Sequence, residues 1–138
     1  MIERSVFMFN TDAFAYVDVL NAAANAKWQR NEILSNNIAN VDTPGYKRRD
    51  LEFSTCLETE LLASGYGADS LDKAVKNMDV SNLQPHIYTE YQNMSYRLDG
   101  NNVNIETENV ELASNQIEYD ALIDSMTHEF NRIKSVLQ

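Results

Sequence analysis

The sequence predicts a mainly α-helical fold: long N- and C-terminal helices pack antiparallel as a coiled-coil-like pair, with a short irregular middle segment that contains some β structure. Apolar residues recur at heptad spacing near both ends of the chain, and turn-forming residues separate the two periodic stretches. The 138 residues are typical of one domain, which we expect both ends of the chain to build together.

The first long helix is predicted over residues 11–41, after a flexible N-terminal segment at residues 1–10. One of residues 10–12 can cap its start. Its seam at heptad spacing, widened by two aromatic residues, consists of Phe14, Val17, Leu20, Ala24, Trp28, Leu34, Ile38 and Val41. The Asn-rich stretch 35–40 has poor helix propensity, so either contacts from elsewhere hold it in the helix or it frays.

A tight turn is predicted where this helix ends. Pro44 disfavours helical geometry at Thr43, and Pro followed by Gly is typical of the central positions of a type II turn. Such a turn predicts a positive φ at Gly45. Residues 46–53 alternate weakly and are expected to be extended, so residues 11–53 comprise the first helix and its turn.

The middle region, residues 54–98, has mixed character. Residues 54–63 predict a short helix, and residues 70–78 predict another one or two helical turns. The run 85–98 is rich in β-forming residues and is expected to be extended, with its pairing left open. Its tyrosines could form an interface platform or the hydrophobic side of a small sheet; they are Tyr88, Tyr91 and Tyr96.

The last region, residues 99–138, begins with a turn cluster and predicts a second long helix over residues 106–137. Acidic residues gather in its first turns and basic residues in its last, as the helix dipole favours. Its heptad seam consists of Leu112, Tyr119, Leu122, Met126, Phe130, Ile133 and Leu137. A second apolar stripe consists of Val110, Ala113, Ile117 and Ala121. Because two stripes are apolar, we expect this helix to contact more than one partner.

The charge distribution argues against nucleic-acid binding. The net charge is −10, and residues 99–138 carry eight acids but two bases, so the chain repels phosphate backbones. The first residues contain no apolar run long enough for a cleaved secretory signal, and no stretch is apolar enough to span a membrane. The lone Cys56 excludes an intrachain disulfide and a multi-cysteine zinc site.

Sequence motifs for catalysis are absent. There is no Gly-rich phosphate loop, no GxSxG and no HExxH. Asp124 and His128, four residues apart, could share a metal, but an ordinary polar pair is the favoured interpretation. Cys56 has no local signature of a nucleophile.

The basic cluster formed by Lys47, Arg48 and Arg49 has three open interpretations. It could be a solvated turn, or it could contact acids of another chain within the stretch 106–120. Binding to nucleic acid or phospholipid is least favoured, because three charges and one tyrosine are few for that purpose.

The stretch 35–48 strongly resembles the signature of the bacterial flagellar axial proteins, the rod, hook and hook-associated family. The matching residues are Ser35, Asn36, Asn37, Ile38, Ala39, Asn40, Thr43, Pro44, Gly45 and Tyr46. The continuation over residues 46–53 and the stretch 98–104 are similar to the proximal rod type. Hook and distal-rod relatives usually carry Thr or Ser where Pro44 stands.

This resemblance implies a structural subunit of the basal-body rod that assembles with itself and with other rod proteins into the driveshaft that transmits motor torque. It implies no enzyme activity, no cofactor and no small-molecule substrate. It also implies contact with the membrane-ring and adaptor proteins at the rod base, and export by the flagellar type III apparatus without a cleaved signal peptide. The alternative from another class is a cytoplasmic coiled-coil adaptor or export chaperone.

The subunit interface is predicted on the heptad seams and the basic cluster. Its candidate residues are Val17, Leu20, Ala24, Trp28, Leu34, Ile38, Lys47, Arg48, Arg49, Leu112, Tyr119, Leu122, Met126, Phe130, Ile133 and Leu137. Two long helices in so small a chain cannot cover their own apolar faces and need neighbours. A head-to-tail contact that does not close on itself then builds a tube.

Overall fold

Two long helices dominate the computed structural model, which describes residues 14–67, 70–91 and 97–137. They are α1 (Ala15–Ala39) and α4 (Ile105–Val136). Between them lie β1 (Arg49–Glu52), α2 (Ser54–Ala63), α3 (Leu71–Asn77), a 3₁₀ turn (Val80–Asn82) and β2 (His86–Thr89). The predicted mainly α-helical fold is confirmed, and the two short helices of the middle region lie where the sequence places them.

The two long helices run antiparallel. Asn37, near the end of α1, bonds Glu108 in the first turns of α4, whereas Lys27, further from that end, pairs with Glu118. This is the pairing that the two heptad seams predict.

The helix starts differ in how they are capped. Helix α1 begins at Ala15 after Phe14, which makes no side-chain cap hydrogen bond. The predicted caps at residues 10–12 and the segment 1–10 lie outside the described residues. Helix α4 is capped by Asn104, whose Oδ1 accepts hydrogen bonds from the backbone N–H groups of Glu106 and Thr107. The start of α4 agrees with the sequence prediction, which did not include this cap.

The sheet consists of two antiparallel strands. Residues Asp50 and Leu51 of β1 face Tyr88 and Ile87 of β2, respectively. Strand β2 ends at Thr89, so the prediction of extended chain to residue 98 is wrong at its end, where residues 97–99 form a bend and a turn. The physical reason is that β1 offers only four residues to pair with. Residues 92–96 lie outside the described ranges.

A small apolar core joins α1 to the middle region. Residues 51 and 53 alternate inward from the sheet, while α3 and the 3₁₀ turn close the other side. The buried cluster consists of Ala26, Ile33, Leu51, Phe53, Met78 and Leu83. The core therefore anchors one face of α1, and the rest of that helix remains available to contact α4.

Candidate functional site

The signature turn adopts the predicted geometry. The N–H of Tyr46 donates to the carbonyl of Thr43 at 3.3 Å, and Gly45 has φ 72°. The N–H of Gly45 donates to the carbonyl of Asp99 at 2.8 Å. The turn that ends α1 is therefore held directly against the turn that precedes α4.

Asn101 fastens the end of α1 from the second turn. Its buried amide Nδ2 donates to the carbonyls of Asn40, Val41 and Thr43 at 2.9, 3.0 and 2.8 Å. Its Oδ1 accepts the N–H of Val103 at 2.8 Å. These carbonyls lie just beyond Ala39, the last residue of α1, so Asn101 fastens the chain as it leaves the helix.

Asn37 is the central residue of the signature and is fully buried. Its Nδ2 donates to the carbonyl of Arg49 at 2.7 Å and to Glu108 Oε2 at 2.8 Å. Its Oδ1 accepts the N–H of Arg49 at 3.1 Å and the hydroxyl of Tyr46 at 3.2 Å. These bonds tie the Asn-rich stretch of α1 to β1 and α4, which are contacts of the kind that the sequence predicts for it.

A chain of ion pairs lies next to Asn37. Arg48 Nε donates to Glu108 Oε1 at 2.5 Å, and its Nη2 donates to Asp50 Oδ2 at 2.9 Å. Arg30 Nε donates to Asp50 Oδ1, and Arg30 Nη2 donates to Glu111 Oε2, both at 2.8 Å. We call these five residues, together with Asn37, the signature junction. It links α1, β1 and α4 through largely buried charges.

Two opposing effects set the pKa values in the junction: burial disfavours the charged forms, and ion pairing favours them. Burial disfavours the charged form of Asp50, but hydrogen bonds from Arg30, from the Leu51 N–H and from Arg48 outweigh it and hold the pKa of Asp50 below its usual range. Burial likewise acts to lower the pKa of Arg48, whereas its bonds to Glu108 and Asp50 raise that pKa overall. The charges are therefore compensated inside the chain.

The three residues of the basic cluster differ in their contacts within the chain. Lys47 Nζ donates to the carbonyl of Gly100 at 2.6 Å, and Arg48 belongs to the junction. The acid that Arg48 contacts, Glu108, lies in the predicted stretch 106–120 but in the same chain, and a contact of the basic cluster with another subunit stays a prediction. The side chain of Arg49 is exposed.

The remaining signature residues surround the junction at the surface. Those with exposed side chains or backbone are Ser35, Asn36, Ala39, Thr43, Pro44 and Gly45. Those that are half-buried are Ile38, Asn40 and Tyr46. The signature therefore combines an internal fastening with an outward surface.

The predicted interface residues on the seams differ in how deeply they are buried within the single chain. Val17, Ala24 and Leu34 are buried within the single chain, and their contact with another subunit stays a prediction. Heptad spacing marks an apolar face and cannot tell an intrachain from an interchain contact. The half-buried members are Leu20, Ile38, Leu112, Tyr119, Leu122, Met126 and Ile133, and the exposed members are Trp28, Phe130 and Leu137.

The second apolar stripe of α4 faces outward. Val110 and Ile117 are 70% and 71% exposed, and Ala113 and Ala121 are exposed as well. We call these four residues the outer stripe. From this stripe the sequence predicts that the helix contacts more than one partner, although the stripe is not among the predicted interface residues.

The residues weighed for chemistry stand apart from the junction. Asp124 and His128 are both exposed on α4, and the described part of the chain contains no group of three side chains suited to a metal. Cys56 is half-buried, with its Sγ 3.5 Å from the carbonyl oxygen of Asn82. In the described ranges, no helix is long and apolar enough to cross a bilayer.

Comparison with known proteins identifies the family that shares the helix and turn of this signature. A family model described as "Flagella basal body rod protein" matches residues 18–47, which cover most of α1 and the turn. The "Flagellar basal body rod protein FlgB" of Bacillus subtilis (strain 168) is 34% identical over 109 residues, which is 78% of this chain and 81% of the relative. This chain belongs to the FlgB family. It is therefore a component of the flagellar basal body rod.

Other FlgB relatives extend the match beyond the signature. The protein of Yersinia enterocolitica is 33% identical over 123 residues, covering 84% of this chain and 88% of its own. That of Borrelia hermsii is 30% identical over 142 residues, covering 97% and 99%. The resemblance to the rod proteins is thus confirmed over nearly the whole chain, including the middle region, and favours a structural rod protein over the adaptor or chaperone alternative.

Proposed function

We propose that this chain is a self-assembling subunit of the proximal rod, which joins copies of itself and other rod proteins into the driveshaft that transmits motor torque. The outer stripe is the observation that carries the proposal. From residue 110 to residue 121 it runs ~17 Å along α4, at a rise of about 1.5 Å per residue. Exposed apolar stripes of this kind mark protein contacts.

The signature junction supports a role in transmitting force. It ties the end of α1 to β1 and to the start of α4 through ion pairs that water reaches poorly. A fully paired polar network of this kind makes a structure rigid and specific. Rigidity here fixes the directions in which the outer stripe and Arg49 face a neighbour, which is what a subunit of a rotating shaft requires.

Membership in the family supports proposals for the remaining partners. We propose contacts with the ring and adaptor proteins at the rod base, and export by the flagellar type III apparatus without a cleaved signal peptide. Mass spectrometry of the protein recovered from basal bodies tests the export route. An intact first segment supports it, and removal of an N-terminal peptide contradicts it.

The self-assembly proposal is tested by Ile117→Asp, with Asn109→Asp as the matched control. Both positions are exposed on α4, so both variants should fold, and their melting temperatures should stay within ~3 °C of the parent. Burying the new charge at position 117 against a neighbour is costly, whereas position 109 is polar already. We expect Ile117→Asp to abolish assembly in sedimentation and motility in the source bacterium, while Asn109→Asp retains both. A motile Ile117→Asp strain would contradict the proposal.

A further inference from the structure

An apolar groove lies where α2 faces the pair of long helices, and we call it the α2 groove. Its volume is about 550 Å³, large enough for several side chains of an extended segment. Leu62 and Tyr66 on its rim are 57% and 48% exposed, so the groove is open to solvent. The other apolar side chains of its lining include Ala23 of α1, Leu57 and Leu61 of α2, and Leu122 of α4. An open apolar groove favours a segment that buries apolar side chains in it.

A second recess lies on the same face of the helix pair, next to the start of α1. Tyr16 lines it on α1, and Glu129 lines it on α4. Tyr16 and Ala23 are seven residues apart, as are Leu122 and Glu129, so each helix presents both members of its pair to one face. The recess and the α2 groove therefore lie one behind the other, and the recess is the nearer of the two to Phe14.

The polarity of the recess and of the groove matches the residues that precede α1. The recess is lined by charged side chains of both signs, which are Asp72, Lys76, Glu129 and Arg132. In the sequence, Asn10, Thr11 and Asp12 are polar, whereas residues 6–9 are apolar at every position. No other run of four residues outside the described ranges is apolar throughout. A chain that folds back from Phe14 along α1 thus meets each lining with residues of matching polarity.

The distances allow residues 6–9 to reach the α2 groove. Ala23 and Lys27, which line it on α1, lie nine and thirteen residues after Phe14, or ~14 and ~20 Å along the helix at about 1.5 Å per residue. Residues 9 and 6 precede Phe14 by five and eight positions, and an extended chain covers at most ~17 and ~27 Å over those lengths. The two spans overlap, so the run can lie along the groove without unwinding α1.

We propose that residues 6–9 of the same chain occupy the α2 groove. Phe7 and Phe9 carry the two largest side chains of the run and are two positions apart, so in an extended segment both point to the same side, into the groove. Ala121 belongs both to the groove lining and to the outer stripe, so the docked run borders the surface proposed for assembly. The inference does not depend on the proposed self-assembly, because it concerns a contact within one chain.

Covalent attachment and charge favour this occupant over the same run of a second copy. A short tether raises the effective concentration of a segment to about the millimolar range. A second copy would have to approach against the repulsion between chains of net charge −10. Glu58 on the groove lining makes no ion pair with a described residue, and Arg4, two positions before the run, supplies the opposite charge.

Thiol cross-linking within the full-length chain tests the contact. In a Cys56→Ser background, Ser5→Cys is combined with Ser54→Cys, at a position that lines the groove. The matched control combines Ser5→Cys with Asn25→Cys, at a similar height on α1 but on its opposite, exposed side. We expect a short bifunctional maleimide to link Ser5→Cys to Ser54→Cys at least tenfold faster than to Asn25→Cys. Mass spectrometry of mixed isotope-labelled and unlabelled chains assigns each link to one chain or to two.

Substitutions on both sides of the contact identify what holds the run in place. Phe7→Asp combined with Phe9→Asp, and separately Leu62→Asp, should each slow the link to Ser54→Cys at least fivefold, because a charge opposes burial in an apolar groove. Ala63→Asp, at an exposed neighbour of Leu62 outside the lining, should change the rate less than twofold. Circular dichroism checks the fold of each variant. The double phenylalanine variant leaves every described residue unchanged, so it decides the test even if Leu62→Asp unfolds the chain.

The possible failures are distinguishable. Equal linking rates with Ser54→Cys and Asn25→Cys, or rates that the double phenylalanine variant leaves unchanged, overturn the contact and leave the proposed self-assembly standing. Links that form only between labelled and unlabelled chains assign the groove to the run of a second copy, which also overturns the contact within one chain.

Discussion

Replacement of Glu108 by glutamine probes the signature junction at its most buried charge. The side chain of Glu108 is only 1% exposed and accepts from Arg48 on one oxygen and from Asn37 on the other. A glutamine has one oxygen and one NH₂ group, so one of the two donors must face another donor. Arg48 also loses a carboxylate partner within the protein interior.

The expected cost of Glu108→Gln follows from these contacts. Breaking a buried ion pair by removing one partner costs ~3–5 kcal/mol. Arg48 keeps Asp50 at 2.9 Å, so we expect the lower end of that range, about 3 kcal/mol. For a chain of this size, that loss lowers the melting temperature by ~10 °C.

Urea unfolding followed by circular dichroism and by Trp28 fluorescence measures this cost. The control is Glu106→Gln, which makes the same change two residues earlier at an exposed position of α4 and should cost no more than ~0.5 kcal/mol. The reasoning is refuted if the two variants lose equal free energy of unfolding, or if Glu108→Gln loses less than ~1 kcal/mol. In either case the buried ion pair of Glu108 does not contribute the stability expected of it.

Four further predictions concern the same elements. Ionised Asp50 stabilises the fold fully above its unfolded-state pKa, and this contribution is lost as the pH falls through its lower native pKa; Asp50→Asn should therefore flatten the acid limb of a stability profile measured by urea unfolding. Gly45→Ala should cost ~1–2 kcal/mol from its positive φ, and Gly45→Asn less, in thermal melts. Leu34→Ala, at a fully buried site, should cost ~2–5 kcal/mol in urea unfolding. In the monomer, hydrogen exchange should be faster over residues 130–136 than over residues 108–119, because the junction and the contacts of α1 protect the latter.

The sequence predicted elements well where local signals sufficed. Proline and glycine placed the turn at the end of α1, and the apolar pattern of residues 54–63 placed α2. What it missed depends on the tertiary arrangement. The partner of Arg48 could not be identified from the sequence. The antiparallel packing of α4 on α1 brings Glu108 of the same chain next to Arg48, and the sequence does not reveal that packing. For the same reason, heptad spacing could not separate buried Leu34 from exposed Phe130.

The asparagine content of the chain has a physical explanation in this arrangement. Sixteen asparagines occur in 138 residues, and several of them bond backbone groups at the ends or contacts of the long helices; these are Asn37, Asn101, Asn102, Asn104 and Asn115. An amide both donates and accepts without adding charge, so it can satisfy irregular backbone in a chain that is already strongly acidic. Sliding α4 by one residue along α1 would unpair several of these groups at once, at ~1–3 kcal/mol each. The bonds of Asn37 to Glu108 and of Asn115 to Lys27 therefore help to fix how the two helices are aligned.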